Sequence, residues 1–246
     1  MVDADLLARN RLLAMAPSQE REQLASGFEL VSLSVRQTLY QEDEPIEHVY
    51  FPVTGVLSLV TQMHDGRGIE VATIGSEGMA GLPVFLQASM TSAHMAFSQI
   101  PGEALRMSAA DFSEYISGGE NGGLSVALNR YTQALITMIA RAVGCNALHS
   151  VQQRACRWLL TTHDRVAEDE FLLTQDFLGQ MLGVTRASVN EVARELQNAG
   201  AIDYARGRVT VLKRADLESR SCECYQVVRD EFDRLLQAPR RAPLAS

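Results

Sequence analysis

Arg186, Ser188, Asn190 and Glu191 fall within one short stretch, and their side chains carry the donors and acceptors that read base edges. A guanidinium can grip guanine O6 and N7 through two hydrogen bonds, and a carboxylate can accept from cytosine N4. Asn190 and Ser188 could reach a base or a phosphate oxygen. Arg206 and Arg208, on either side of Gly207, add two cations suited to flanking phosphates. The chemistry on offer is recognition. No Ser-His-Asp, phosphate-loop or dinucleotide-binding pattern occurs, so an enzyme is not expected.

Such side chains need a helix pair held at a fixed angle. Thr174 is predicted to cap a helix from Gln175 to about Leu182, with Gly183 as its stop. Thr185 then caps a second helix, Arg186 to about Asn198. A helix-turn-helix needs a small residue at the crossing, tolerance of positive φ at the turn, and apolar anchors. Counted from Gln175, Gly179 is fifth, Gly183 ninth, and Val184, Val189 and Val192 tenth, fifteenth and eighteenth, so all five diagnostic positions fit. With Val189, Val192, Ala193 and Leu196 buried, Arg186, Ala187, Ser188, Asn190, Glu191 and Arg194 stay free. "AIDYARGRVTVL" reads as two short strands around Arg206-Gly207-Arg208, a wing.

Net charge argues against this at first sight, since the chain carries −8. The acidity is local. Residues 1–149 hold 8 Arg against 16 Asp and Glu, whereas residues 150–246 hold 14 Lys and Arg against 14 acids. With 46% hydrophobic and 21% charged residues the 246-residue chain has the composition of an ordinary globular protein. No apolar run approaches the roughly 20 residues of a membrane span, and the N-terminus has no signal-peptide pattern. The expected location is cytoplasmic.

Upstream, residues 5–26 read as two short helices. From about 29 to 110, runs such as "FELVSLSV", "HVYFPVTGVLSLVTQM", "IEVATIG" and "ALRMS" alternate with Gly-, Pro- and Asp-rich turns, predicting an antiparallel sandwich or barrel. From Gly123 the period becomes helical. Leu124, Leu128, Tyr131, Leu135, Met138, Ala142 and Cys145 alternate at spacings of four and three, a heptad seam. This seam is expected to face a second copy of the chain, with Val126, Ile136, Ile139 and Val143 facing the sandwich. The predicted division is residues 1–122 sandwich, 123–149 dimerisation helix, 150–236 winged helix capped by Ser150, and 237–246 flexible tail.

The four cysteines are Cys145, Cys156, Cys222 and Cys224. Cys222-Glu-Cys224 could bind metal or form a redox pair, but in a helix side chains two apart diverge by about 200°. Cys145 and Cys156 read as core thiols, and the histidines show no metal-ligand spacing, so no metal or cofactor is expected. His94 lies near the would-be pocket.

Acidic sandwich, long helix and winged helix, in that order, resemble the Crp/Fnr family of bacterial transcription regulators over roughly residues 10–215. "EPIEHVYFPVTGVLSLV", "TIGSEGMAGLPVFL" and "LTQDFLGQMLGVTRASVNEVARELQNAGAI" carry the resemblance. It implies an α+β chain with a cyclic-nucleotide-binding-like β jelly roll. It also implies a homodimer on an inverted DNA repeat, and RNA polymerase as partner. The family's base-reading positions fall on Arg186, Ala187 and Glu191, of which only Arg186 keeps the usual residue. Cyclic AMP binders use Gly-Glu-Leu for the ribose and Arg-Ser for the phosphate; here Ala80-Gly81-Leu82 and Thr91-Ser92 stand there, so tight cyclic AMP binding is not expected. The iron–sulfur members' N-terminal cysteines are missing, since the first cysteine is Cys145. Two other readings stay open: a redox or metal sensor centred on Cys222 and Cys224, and a second-messenger binder whose winged helix contacts protein.

Overall fold

The computed structural model describes residues 2–87, 89–118 and 122–236; the tail at 237–246 lies outside them. Three short helices open the chain: α1 (Ala4–Leu7), α2 (Arg11–Ala14) and α3 (Ser18–Ala25). Asn10 separates the first two and is fully buried. Its Oδ1 accepts from Leu12 and Leu13 N–H, and its Nδ2 donates to the carbonyls of Pro52 and Gly78.

Seven strands follow: β1 (Glu29–Leu33), β2 (Thr38–Tyr40), β3 (His48–Pro52), β4 (Val56–Gln62), β5 (Gly68–Ile74), then α4 (Leu82–Leu86), then β6 (Met95–Ile100) and β7 (Gly102–Ser108). They form two antiparallel sheets, ordered β1-β7-β3 and β2-β6-β4-β5. The sequence reading lacks β2 and β6. "TLY" is only three residues long, and "MAFSQI" contains Ser98 and Gln99, polar residues buried here because hydrogen bonds satisfy them.

The run Val56-Leu57-Ser58-Leu59-Val60 is buried throughout. Alternate side chains leave a strand on opposite faces. Leu57 and Leu59 enter the sandwich core, while Val56 and Val60 pack with the C-terminal domain. A continuous apolar strand therefore reports a sheet covered on both sides.

α5 (Ala109–Ser117) leads to the long α6 (Gly122–Leu148) and α7 (Val151–His163). Glu20, buried on α3, starts α6: its carboxylate accepts from Gly123 N–H, Leu124 N–H and the Tyr115 hydroxyl. Ser150 and Gln153 form a capping box at the start of α7. The winged domain continues with β8 (Glu170–Leu172), α8 (Gln175–Leu182), α9 (Arg186–Asn198), β9 (Ile202–Ala205), β10 (Arg208–Val211), α10 (Arg214–Arg220) and α11 (Cys224–Leu236), with a β8-β10-β9 sheet.

The heptad on α6 exists but faces the other way from its predicted direction. Leu124, Leu128, Tyr131, Leu135, Met138 and Ala142 are all buried within their own chain. The first five join the sandwich core together with Phe232, Leu235 and Leu236 of α11, and Tyr131 packs edge-on against Phe232. The Tyr131 hydroxyl donates to the Met79 carbonyl at 3.0 Å. Val126, Ile136 and Val143, assigned to the sandwich, are exposed. Both faces of this helix are apolar at the same period, so periodicity alone cannot say which one the chain itself covers.

Candidate nucleic-acid interface

Helices α8 and α9 begin and end at the predicted caps. Thr174 Oγ1 accepts from Phe177 N–H, and Thr185 Oγ1 accepts from Ser188 N–H, both at 3.2 Å. Gly183 closes α8 in the left-handed region at φ 64°. At Gly179 an added Cβ would lie 2.9 Å from the Val184 carbonyl oxygen, so a side chain there would wedge the turn away from α8.

Val189, Val192, Ala193 and Leu196 are buried, and Arg186, Ala187, Asn190, Glu191 and Arg194 face solvent. Ser188 departs from expectation: it is half-buried, and its hydroxyl sits 3.0 Å from Thr185 Oγ1 within the cap. It takes part in the helix start. Arg186 leans back to Asp176 at 3.5 Å, with both side chains about two-thirds exposed. Such a pair contributes about 1 kcal/mol or less and yields readily to a stronger anion. In the wing, Arg206 (φ 52°) and Gly207 (φ 74°) form a two-residue turn with positive φ at both positions. Arg206 is exposed at its tip; Arg208 is paired with Glu170 at 2.9 Å, which shares its charge.

The would-be effector residues sit on two segments flanking residues 43–50. Ala80 pairs with Tyr50, and Thr91 with Pro45. Gly81 N–H donates to the Tyr40 hydroxyl at 3.3 Å, and Leu82 begins α4. Thr91 Oγ1 lies 2.9 Å from the Ser89 hydroxyl, and Ser92, buried, accepts from His94 N–H. His94 Nδ1 contacts Thr61 Oγ1 at 3.0 Å. "GSEGMAGL" is a tight turn: Gly78 N–H returns to the Gly75 carbonyl, and Gly75 N–H is taken by the Glu77 carboxylate at 3.0 Å.

The winged domain is docked on the sandwich. Phe177 of α8 meets Phe97 of β6 edge-on at 6.0 Å between centroids and Trp158 of α7 at 6.4 Å, and the Arg36 guanidinium lies over its ring. A polar chain crosses the same interface. Glu70 Oε1 accepts from Trp158 Nε1–H at 2.8 Å, and Gln99 Nε2 donates to Thr162 Oγ1 at 3.2 Å. The Ser58 hydroxyl stands 2.7 Å from both Glu70 Oε2 and Gln99 Oε1.

Ser58 has one proton for two acceptors. A protonated Glu70 resolves this by donating to Ser58, which donates to Gln99. Burial pushes the Glu70 carboxyl up to about 7, against the opposing pull of the Ser58 hydroxyl, the Arg157 charge and the Trp158 N–H. The folded state thus keeps its proton while the unfolded chain loses it near 4.5, and stability falls as pH rises between those values. Glu70→Gln mimics the protonated acid. It should flatten this slope and add about 1–3 kcal/mol near pH 8, measured by urea unfolding from pH 4.5 to 8. A slope unchanged in the variant rejects the assignment.

Family models match both halves of the chain: the cyclic nucleotide-binding domain over residues 30–118 and the Crp-like helix-turn-helix domain over residues 153–220. A putative Crp/Fnr-family transcriptional regulator from Eubacterium rectale superposes with a TM-score of 0.65 at 14% identity, covering 85% of this chain and 96% of that one. The chain belongs to the Crp/Fnr family. Other members share its fold. FixK2 from Bradyrhizobium japonicum aligns at TM-score 0.66 and 19% identity, covering 79% of this chain and 98% of its own. The c-di-GMP-responsive regulator CLP of Xanthomonas campestris aligns at 0.61 and 16%, covering 85% and 99%. No curated protein sequence matches the chain. As a Crp/Fnr protein it is a DNA-binding transcription regulator, and no helix among the described residues is long and apolar enough to cross a membrane.

The sequence reading missed Glu70, Glu77 and Arg165, whose partnerships (Glu70 with Trp158, Glu77 with Arg165) span 88 residues of chain. It also missed a grouping at the end of α6, where Cys145, His149, Cys222 and Cys224 come together although no metal site was expected. One signal was local: Cys145 and His149 are four apart where α6 ends, a spacing that a helical turn brings to one side, and His149 N–H bonds to the Cys145 carbonyl. Cys222-Glu-Cys224 straddles the start of α11, so the divergence expected of a helical pair does not arise.

Proposed function

We propose that the protein acts as a homodimer on an inverted-repeat DNA site, reading each half-site with α9 and steadying it with the wing. The observation that carries this reading is the solvent face of α9, which exposes Arg186, Asn190, Glu191 and Arg194, together with Arg206 exposed at the tip of the wing. Two such helices related by a two-fold would enter successive major grooves about 34 Å apart. Ala187 and Glu191 give the half-site its own sequence. The partners are double-stranded DNA, a second copy and RNA polymerase, which places the protein in the cytoplasm. The sensor half responds to an effector other than cyclic AMP. Neither the turn at Gly81 and Leu82 nor the segment at Thr91 and Ser92 supplies a carboxylate for a ribose or a guanidinium for a phosphate.

Binding sites recovered from genomic fragments would serve as gel-shift probes. Arg186→Ala should weaken binding by about 5- to 150-fold and relax one base position, the worth of a bidentate guanine contact. Arg206→Ala should weaken all sequences alike and lower the salt slope by about 1. Cyclic AMP should leave the wild-type shift unchanged. Equal binding by a variant lacking Arg186, Arg206 and Arg208 overturns the DNA interface.

A further inference from the structure

Away from the reading face, the last turn of α6 carries Cys145, and His149 follows directly after the helix with its N–H bonded to the Cys145 carbonyl at 3.1 Å. Some seventy residues later the chain returns with Cys222 in the link after α10 and Cys224 as the first residue of α11. One donor atom from each of the four lies within 4.8 Å of every other. Cys145 Sγ is 3.5 Å from Cys222 Sγ, and Cys224 Sγ is 3.7 Å from His149 Nδ1. The three thiols are buried and form a small cluster of their own, separate from both main cores.

The 3.5 and 3.7 Å contacts are close to the spacing within a metal's ligand shell. With Zn–S near 2.3 Å and Zn–N near 2.0 Å, a tetrahedron sets neighbouring ligand atoms about 3.5–3.8 Å apart. The span leaves room for one ion. His149 presents Nδ1 to the cluster and turns Nε2 to the Glu223 carboxylate at 3.2 Å. That outer carboxylate fixes the tautomer with Nδ1 free to ligate, the arrangement found behind metal-bound imidazoles. Pairing any two of the cysteines as a disulfide would use neither the third thiol nor the oriented imidazole.

We propose that Cys145, His149, Cys222 and Cys224 bind one tetrahedral divalent transition-metal ion of the zinc type, clasping α11 to the end of α6. On binding, each thiol gives up its proton to solvent and the neutral imidazole ligates through Nδ1. The clasp spans the α6–α7 junction at Ser150, where the long helix hands over to the winged domain, so its metal state bears on how α9 is carried. This site stands whether or not the proposed DNA reading holds, because metal content is measured without DNA.

The test uses the full chain, untagged and reduced. Elemental analysis should find about one zinc per chain. After chelation, Co2+ should restore one equivalent and give thiolate charge-transfer and tetrahedral d–d absorption. Cys145→Ser and Cys222→Ser should abolish those bands, while Cys156→Ser, removing the buried thiol outside the cluster, should leave them intact. His149→Cys should keep the metal with a stronger charge-transfer band, which separates ligation from a packing role. Should the serine variants fail to fold, the wild-type cobalt spectrum and the His149→Cys change still decide. No cobalt uptake by the reduced chain overturns the proposal. So does uptake indifferent to Cys222, or a Cys145–Cys222 disulfide in a chain that takes no metal when reduced.

Discussion

Replacing Ile136 and Val143 together by Glu should leave the chain folded, monomeric, and at least about 100-fold weaker on DNA. Val126, Ile136, Val143 and Leu148 are 48%, 62%, 69% and 82% exposed on α6. Val126, Asn129, Gln133, Ile136, Ala140, Val143 and Ala147 repeat at spacings of three and four, a second heptad on the face away from the sandwich. Covering a valine or isoleucine is worth about 1.5–3 kcal/mol, and a two-fold seam covers each of them twice. Asn129 and Gln133 within it suit a seam that fixes register at some cost in affinity. Glutamates at two of its layers would lose that burial and set like charges opposite each other. Every 1.4 kcal/mol is tenfold in dissociation constant, so the loss exceeds two decades. Sedimentation velocity reads the mass, gel shift reads the affinity, and thermal unfolding of the monomer should barely move. Leu128→Glu is the contrast. Leu128 is fully buried in its own chain, so that change should unfold the sandwich. A variant pair that stays dimeric would return the dimer interface to some other surface.

How far the sequence reached depended on how local each signal was. Thr174, Gly183 and Thr185 act within four residues of themselves, and both helices of the reading unit end where these caps predict. The strand rule worked for alternating or apolar runs and failed at "MAFSQI", where a buried Gln99 finds its partner at Thr162, 63 residues away. Heptad spacing located α6 but not its orientation, since that depends on which elements of the same chain arrive to cover it. Cys222-Glu-Cys224 was judged as a helical pair. Only the break before α11, and the return of the chain to Cys145 and His149, turns the thiols toward one point. Ser188 reads as a DNA contact because small polar residues at a helix start can cap or contact DNA; its cap contact with the Thr185 hydroxyl at 3.0 Å was not legible from residue type alone.

The other large effect belongs to Arg165. Its guanidinium approaches Glu77 Oε1 from two nitrogens, at 2.9 and 2.8 Å, and both side chains are only 10% exposed. Glu77 lies in the sandwich turn and Arg165 just beyond α7, so the pair braces the two halves across 88 residues. Gly75 makes room for it, since an added Cβ would meet Arg165 Cγ and Cδ at 2.7 Å. Burial by itself would raise the Glu77 carboxyl; the Arg165 charge, its hydrogen bonds and the Gly75 N–H outweigh this and hold it below the usual carboxylate value. The pair therefore stabilises the fold above the free carboxylate's 4.5, and that contribution fades as pH falls through the lower folded value. Arg165→Met strands a buried carboxylate and should cost about 3–5 kcal/mol at neutral pH. Near pH 4, where Glu77 can take a proton instead, the penalty should shrink. Adding Glu77→Gln should recover most of the loss, because two neutral groups of similar volume carry no orphaned charge. Urea unfolding of the single and double variants at both pH values checks this. A single variant costing under about 1 kcal/mol would mean that water reaches the carboxylate and that the two halves are not braced there.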